Sequence, residues 1–238
     1  MKTVILAGGR GSRMGAQTDR MPKALVPVAG APVIERVMEV FARQGFDDFL
    51  IAGGYRVADL QDWAARRAAS GRCGWRVEVV DTGPDTASAS RLARLAPRLE
   101  GAQFLLAWCD GVADIDLRGA LRFHEGHGRL ATVVAVHPPE RFGLLDLDGS
   151  RVARFREKPV RQEGWINGGF FVLERGVLDG LARQGMTWEQ DVMTRLARDG
   201  ELMAWRHDGA WLCMDTVKDR AEMDRALRSG FPGRDCVA

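Results

Sequence analysis

A glycine-rich stretch with several basic residues follows the first apolar segment of the chain. Residues 6–25 read LAGGRGSRMGAQTDRMPKAL. Glycines let backbone N–H groups approach phosphate oxygens closely, and Arg13 and Lys23 add positive charge. The stretch contains neither the GxGxxG of a dinucleotide-binding fold that opens a helix nor the GKS or GKT of a Walker loop. It predicts a phosphate-binding loop of another kind; the alternative is a surface loop with incidental charges.

Two aspartates follow apolar segments that are far apart in the chain. Asp110 stands in CDG after QFLLAW, and Asp215 stands in CMDT after WL. A carboxylate at the tip of a buried strand suits Mg²⁺, a hard cation that takes oxygen ligands together with substrate phosphates. Each aspartate alone is also typical of a helix cap or a turn. The two can share one ion only if the fold brings them together.

Two segments of the second half could bind a further phosphate and a sugar. EKP at 157–159 ends a strand-like segment, and NGG at 167–169 lies in the next one. Glycine within a strand often marks the close approach of a ligand. A solvated ion pair and a β-bulge are the alternative explanation.

Other conspicuous side chains have simpler explanations. Trp165 and Trp188 could line a sugar-sized pocket, although packing explains most tryptophans. His124 and His127 lie on a polar helix end, where we expect them to be exposed. Cys109 has no histidine placed to activate it, so we interpret it as a core residue.

The elements that must position these residues alternate between strand and helix. Near-continuous apolar strands in βαβα order predict an α/β fold, with a mostly parallel sheet covered by helices on both faces. Ligands of such sheets bind at the carboxyl ends of the strands. After Pro139 the segments become short and alternating around Asp148-Gly149, which predicts a hairpin. Further along, GVLDGLARQ looks helical. We therefore predict one domain over 1–238, with an elaborated second half.

Composition excludes several classes of protein. The formal charge of +2 arises from 34 basic and 32 acidic residues spread along the chain, which argues against nucleic acid as a partner. The four cysteines form no CxxC pair, so we expect reduced thiols and a cytoplasmic protein rather than a zinc site. No stretch approaches the ~20 apolar residues of a membrane span. We also expect a homo-oligomer.

The motifs together resemble the sugar-1-phosphate nucleotidyltransferases, most closely their glucose-1-phosphate cytidylyltransferase branch. The resemblance extends nearly end to end and keeps its order. The segments that carry it are VILAGGRGSR, PKALV, GGY, DTG, CDGVADID, FHEGHGRLATVVAV, PPERFG, EKP, GWINGGFFVLE, TWEQ and MDTVKD. The first segment and its PK are typical of the superfamily, whereas CDGVADID, PPERFG, GWINGGFFVLE and TWEQ point to the cytidylyltransferase branch.

The resemblance implies a Rossmann-like nucleotidyltransferase fold in which 1–138 binds a nucleotide and 139–238 binds a sugar phosphate. It implies Mg²⁺-dependent joining of a nucleoside triphosphate, first of all CTP, to a sugar-1-phosphate. The residues expected to bind the nucleotide are Leu6, Ala7, Gly8, Gly9, Gly11, Ser12, Arg13, Lys23, Ser88 and Arg91. Those expected at the sugar phosphate are Glu157, Lys158, Asn167, Gly168, Trp188 and Glu189. Asp110 and Asp215 would hold the metal, and Arg13, Lys23 and Asp110 would be catalytic.

The chain departs from the pattern of this branch near the expected base. The family's Thr-Gly-Gly-Arg-Leu is replaced by the segment 88–92, SASRL, which brings side chains close to the base or ribose. The choice of nucleotide therefore stays open, as does an unusual phosphorylated acceptor. A metal-dependent glycosyltransferase and a non-catalytic binding subunit are further alternatives. The PK loop argues against the former, and the retained charges argue against the latter.

Overall fold

The structure, a computed structural model, describes residues 1–71, 74–138, 144–156, 164–181 and 184–231. Within these ranges the strands are β1 (Lys2–Leu6), β2 (Pro27–Val28), β3 (Ala31–Pro32), β4 (Asp48–Gly53), β5 (Arg76–Asp81), β6 (Gln103–Trp108), β7 (Gly111–Ala113), β8 (Ala131–Val136), β9 (Leu144–Asp148), β10 (Arg151–Arg156), β11 (Ile166–Glu174), β12 (Leu202–His207) and β13 (Trp211–Cys213). The helices are α1 (Ala16–Arg20), α2 (Val33–Ala42), α3 (Val57–Ala69), α4 (Ser88–Leu95), α5 (Leu117–His127), α6 (Thr194–Arg198) and α7 (Val217–Arg228).

A seven-stranded mixed sheet forms the centre of the fold. Its strand order is β12-β8-β11-β6-β1-β4-β5. Strands β6, β1, β4 and β5 run parallel, β11 runs antiparallel to both β6 and β8, and β12 runs parallel to β8. The prediction of a mostly parallel sheet is confirmed. The carboxyl ends of β1, β4, β5 and β6 consequently open onto one edge of the sheet.

Apolar side chains are buried on both faces of this sheet. Val4 and Ile5 are fully buried in separate clusters, because successive side chains of a strand point to opposite faces. Helices α2, α3, α5 and α7 pack on the face of Ile5, and α4 and α6 pack on the face of Val4. Full burial of a large aliphatic side chain stabilises the fold by about 1.5–3 kcal/mol. The helices therefore hold the sheet, and its carboxyl edge, in place.

The second half differs in detail from its predicted elements. The hairpin is confirmed: β9 and β10 pair antiparallel with Asp148 opposite Arg151, and Gly149 takes the positive φ of 62° that its turn requires. The predicted helix over GVLDGLARQ is wrong for its described residues. Only a 3₁₀ turn forms at Arg175–Leu178, and Gly180 follows with φ 110°.

His124 is also placed differently from its prediction. Its side chain is fully buried rather than exposed, because it lies on the face of α5 that packs against β8. Nδ1 lies 2.9 Å from Thr132 Oγ1, and Nε2 lies 3.3 Å from Glu174 Oε1. His127 Nε2 reaches the same hydroxyl at 2.7 Å. One threonine of β8 thus joins two histidines of α5.

No helix within the described ranges is both long enough and apolar enough to cross a membrane.

Candidate active site

Two short strands bring the predicted metal ligands together. Strand β7 pairs antiparallel with β13, with Gly111 opposite Cys213. Asp110 immediately precedes β7, and the Met214 N–H after β13 donates to the Asp110 carbonyl oxygen at 2.9 Å. As a result, ligand atoms of Asp110, Cys213 and Asp215 all lie within 4.8 Å of one another. A shared metal ion requires that the two carboxylates lie close together in space, and in this fold they do.

Lys23 and Arg13 contact this carboxylate pair from the loop after β1. Lys23 Nζ lies 2.5 Å from Asp110 Oδ2 and 3.0 Å from Asp215 Oδ1. Arg13 Nη1 lies 2.9 Å from Asp215 Oδ2. The Lys23 side chain is 11 % exposed, whereas that of Arg13 is 71 % exposed. All four charged residues predicted to be catalytic or metal-binding therefore form one cluster.

Burial and charge act in opposite directions on the ionisable groups of the cluster. Burial alone lowers the pKa of Lys23, but the charge of Asp110 and hydrogen bonds to Asp110 and Asp215 outweigh burial and raise it. For Asp215, burial raises the pKa. The hydrogen bond from Lys23 and the charges of Lys23 and Arg13 outweigh burial, so the pKa of Asp215 is lowered overall. The lysine stays cationic and Asp215 stays anionic at neutral pH.

Cysteines flank the carboxylates and stay protonated. Burial, together with the charge of Asp110, raises the pKa of Cys109 to about 12. Burial and the charges of Asp110 and Asp215 also raise the pKa of Cys213. Cys109 is buried in the core next to the sheet, as interpreted from the sequence. Neither thiol is a ready nucleophile, because the thiolate is the reactive form.

The glycine loop lies against Lys23. Gly11 adopts a left-handed conformation with φ 65° and begins a 3₁₀ turn at Ser12–Met14. A methyl group on Gly11 would come within 2.9 Å of Lys23 Cβ. Thr18 Oγ1 donates to the Gly11 carbonyl oxygen at 3.1 Å and fixes the turn. Glycine is required here by both its conformation and the close passage of the lysine.

Arg91 is buried and uses its guanidinium to hold the strand-end loops together. The guanidinium donates to five oxygens of these loops. They are the carbonyl oxygens of Gly8 (3.1 Å), Gly53 (3.2 Å), Gly83 (2.6 Å) and Pro84 (3.0 Å) and Thr82 Oγ1 (2.7 Å). Burial and the nearby charge of Arg94 lower the pKa of Arg91. Arg91 thus joins the loops after β1, β4 and β5.

Two cavities flank the carboxylate pair. The first has a volume of about 310 Å³ and is lined by Leu6, Gly8, Gly9, Gly11, Arg13, Lys23, Thr86, Ser88, Arg91, Trp108, Cys109 and Asp110. The second has a volume of about 360 Å³ and is lined by Pro138, Ile166, Trp211, Leu212, Cys213, Asp215, Asp219 and Glu222. Asp110 faces the first cavity and Asp215 faces the second. The charged cluster therefore lies at the boundary of two potential binding sites.

Most residues predicted for the nucleotide line the first cavity. Ala7 and Ser12 do not: Ala7 is buried in the core and Ser12 is exposed. Ser88 Oγ, at the start of α4, accepts a hydrogen bond of 2.7 Å from the backbone N–H of Trp188. Thr86 and Trp108 also line this cavity and were not predicted from the sequence. Trp108 is the last residue of β6 and directly precedes the CDG motif, so its position at the end of a predicted strand was an available signal.

The residues predicted to bind the sugar phosphate do not lie together around one cavity. Trp188 is fully buried and packs edge-on against Phe171 at 5.4 Å, so it lies in the core here, and its role as a sugar contact stays a prediction. Glu189 is exposed, and Glu157 and Lys158 lie outside the described residues. Apart from Asp215, the residues that line the second cavity were not predicted from the sequence. One of them is Trp211, whose indole N–H donates to the Gly168 carbonyl oxygen at 2.8 Å.

Asn167 and Gly168 occupy an irregular part of β11. The register against β8 shifts between Asn167 and Phe171, and Asn167 Oδ1 accepts from the Gly169 N–H at 2.8 Å. A methyl group on Gly168 would lie 2.8 Å from Val136 Cγ1. The β-bulge that the sequence analysis left as an alternative is present, and strand packing explains its glycine.

The donor set of the cluster fits a hard divalent cation. Asp110 and Asp215 offer carboxylate oxygens that lie close together, and the adjoining cavities leave room for further oxygen ligands. Mg²⁺ is bound in this way, by one or two carboxylates together with substrate phosphates and water.

The fold is that of a doubly wound α/β protein, a class whose ligands generally bind at the carboxyl edge of the sheet. The chain belongs to the nucleotidyl transferase family, whose pattern matches residues 2–228. It is 37% identical to a glucose-1-phosphate cytidylyltransferase of Salmonella typhi, over 97% of each chain. It is 30% identical to a mannose-1-phosphate guanyltransferase of Gibberella zeae, over 92% of this chain and 62% of that one.

A solved structure supports the fold. The chain is similar to HddC from Yersinia pseudotuberculosis with a TM-score of 0.75 and 19% sequence identity, covering 95% of this chain and 99% of that chain. The expected fold class is thereby confirmed.

Proposed function

We propose that this chain transfers a cytidylyl group from CTP to glucose-1-phosphate and releases pyrophosphate. The observation that carries the proposal is the cluster of Arg13, Lys23, Asp110 and Asp215 at the boundary of two cavities. The phosphate of one substrate must attack a phosphorus of the other, so the two must meet at such a boundary. The similarity to the Salmonella typhi cytidylyltransferase supports CTP and glucose-1-phosphate as the pair.

The first cavity would hold the nucleotide, with its phosphates toward the loop after β1. Gly8, Gly9 and Gly11 expose backbone to the cavity, and Arg13 and Lys23 supply positive charge there. The second cavity would hold the sugar phosphate. Its wall of Ile166, Trp211 and Leu212 suits the apolar face of a sugar ring, and the carboxylates of Asp219 and Glu222 can accept from sugar hydroxyls.

Catalysis in this site would rest on alignment and charge neutralisation. A phosphate oxygen of the sugar phosphate is already anionic near pH 7, so it can attack the α-phosphorus in line without a strong general base. The obstacle is the repulsion between two polyanions. Arg13 and Lys23 would stabilise charge on the α-phosphate and the departing pyrophosphate, as in phosphoryl transfer generally. When bound at Asp110 and Asp215, Mg²⁺ would neutralise further phosphate charge.

The segment SASRL brings side chains close to the expected position of the base, so the choice of nucleotide needs a direct test. A panel of CTP, UTP, dTTP, GTP and ATP, crossed with glucose-1-phosphate and mannose-1-phosphate and followed by pyrophosphate release, tests it. We expect CTP with glucose-1-phosphate to give the highest kcat/KM. A preference for GTP with mannose-1-phosphate would contradict the cytidylyl assignment but not nucleotidyl transfer.

Metal dependence is tested in the same assay. Removal of divalent ions by EDTA should abolish pyrophosphate release, and excess Mg²⁺ should restore it. Full activity in EDTA would contradict the role assigned to Asp110 and Asp215.

A further inference from the structure

The oxygens that would bind the metal already have a cation beside them. Lys23 Nζ contacts Asp110 Oδ2 and Asp215 Oδ1 at the same time, although these residues are 87 and 192 positions away in the chain. With Arg13 on Asp215 Oδ2, two positive and two negative side chains neutralise one another. Both carboxylates are therefore paired with the groups that the nucleotide phosphates would need.

We propose that the Lys23 ammonium competes with the divalent ion for Asp110 and Asp215, so that the ion binds well only when a nucleotide draws Lys23 away. This inference rests on the proposed function, since it assigns the metal to these carboxylates. In the chain without a divalent ion, Lys23 holds the pair of oxygens. When triphosphate enters the first cavity, its oxygens become an alternative anionic partner for the same ammonium.

The competition follows from the positions of the charges. An ammonium that lies between the two carboxylates occupies the space between the oxygens that a metal ion would share. A divalent ion and an ammonium on the same oxygens would repel each other strongly, because the site is largely shielded from water. One of the two cations must therefore leave before the other can bind with full strength.

Lys23 has the freedom to change partners. Its backbone is fixed in a 3₁₀ turn at Lys23–Leu25, with its Cβ close to Gly11. Four carbons separate this fixed backbone from the ammonium, which can rotate among partners. The side chain already lines the first cavity next to Asp110. Moving the ammonium from the carboxylates to a phosphate in that cavity requires side-chain rotation only.

Arg13 contributes less to this competition. It contacts Asp215 but the structure records no contact from it to Asp110, and its largely exposed side chain is screened by solvent. Lys23, which is mostly buried and contacts both carboxylates, should dominate. Binding of metal and of nucleotide is then coupled, and each ligand must strengthen the other by the same factor.

Mn²⁺ binding in the absence of any nucleotide provides the test. Lys23→Met keeps most of the volume of the side chain and removes the ammonium. We expect the Mn²⁺ dissociation constant of this variant, measured by electron paramagnetic resonance of free Mn²⁺, to fall about 5- to 150-fold, the range typical of coupled sites. The variant should lose turnover at the same time. If Lys23 only stabilised the structure of the site, its removal would not tighten Mn²⁺ binding.

Lys2→Met is the matched control, because it removes the same charge at the opposite end of β1, where Lys2 donates to the Arg98 carbonyl oxygen. It should bind Mn²⁺ as the unaltered chain does, and Arg13→Met should show a smaller gain than Lys23→Met. Circular dichroism verifies that each variant is folded. Equal or weaker Mn²⁺ binding by folded Lys23→Met would overturn the inference. Failure of the proposed function is distinguishable, because it would appear as absent turnover in the unaltered chain.

Discussion

The carbonyl oxygen of Gly8 accepts a hydrogen bond of 3.1 Å from Arg91 Nη2, although 83 residues separate the two in the chain. The same oxygen accepts from the Tyr55 N–H at 3.0 Å. The first residue of the glycine loop is thus held from α4 and from the end of β4 at once. The loop that would receive phosphates is fixed before any ligand arrives, which lowers the cost of ordering it on binding.

Neighbouring glycines of this loop should respond differently to alanine. A methyl group on Gly8 would clash with the Arg91 guanidinium, whereas one on Gly9 meets no atom within 4 Å. Gly8→Ala should lower the free energy of unfolding by about 1–3 kcal/mol through overpacking. Gly9→Ala should change stability little and raise the KM for the nucleotide, because the methyl group lies where phosphate approaches. Urea titrations and steady-state kinetics check the pair, and equal stability of both variants would contradict the packing argument.

Arg91 should matter for stability as well as for nucleotide binding. Arg91→Met removes the donor that the Gly83 and Pro84 carbonyl oxygens have in the guanidinium, whereas the Gly8 and Gly53 oxygens keep backbone donors from Tyr55 and Thr82. Each buried polar group left unsatisfied costs about 1–3 kcal/mol. We expect a loss of several-fold in nucleotide affinity together with a clearly lower melting temperature. Arg98→Met is the control, because its exposed ion pair with Glu78 should contribute within about 0.5 kcal/mol. If both variants melt alike, Arg91 does not hold the loops.

Asp110→Asn tests the carboxylate cluster directly. The substitution keeps the shape of the side chain but removes the charge that pairs with Lys23. Loss of one preorganised electrostatic group typically costs about 2.7–4 kcal/mol in the barrier, so kcat should fall about 10²–10³-fold. Asp59→Asn on α3, where the aspartate pairs with Arg56 away from both cavities, should retain activity. Near-normal turnover of Asp110→Asn would refute its role.

The buried histidine of α5 should make stability depend on pH. Burial, followed by the charge of His127, lowers the pKa of His124, while Glu174 and Glu125 oppose this lowering. Burial and then Arg129 lower the pKa of His127 against the opposing charge of Glu201. The folded chain therefore prefers neutral imidazoles. This stabilisation is complete above the ordinary histidine pKa of about 6.5 and is lost as the pH falls through the lowered values.

The measurement is the free energy of unfolding between pH 8 and pH 5, compared with His124→Gln. Each unit by which the fold lowers the His124 pKa corresponds to about 1.4 kcal/mol lost on acidification. We expect the unaltered chain to lose more stability over this range than the variant. Parallel curves for the two proteins would show that His124 does not titrate differently on folding.

Local pattern was sufficient for the class of fold and for much of the chemistry. Apolar runs in βαβα order are repeated often enough along the chain to specify a mostly parallel sheet, and glycines with Arg13 and Lys23 after the first strand indicate an anion site. The hairpin around Asp148-Gly149 was predictable for the same reason, because its turn residues and alternation are local properties. Where glycines interrupt a weakly helical segment, as at Gly176 and Gly180, local pattern predicted a helix that packing does not form.

Tertiary structure decided which of these residues meet and which way they face. Arg91 and Trp188 looked available to ligands in the sequence, yet the direction of α4 and the packing against Phe171 turn them inward. The placement of His124 inside the protein depends likewise on which face of α5 meets β8. Asp110, Asp215 and Lys23 are recognisable one by one, but no local rule relates residues so distant in sequence. Only the pairing of β7 with β13 brings both carboxylates to one lysine, because contact between charges depends on distance in space and not on position along the chain.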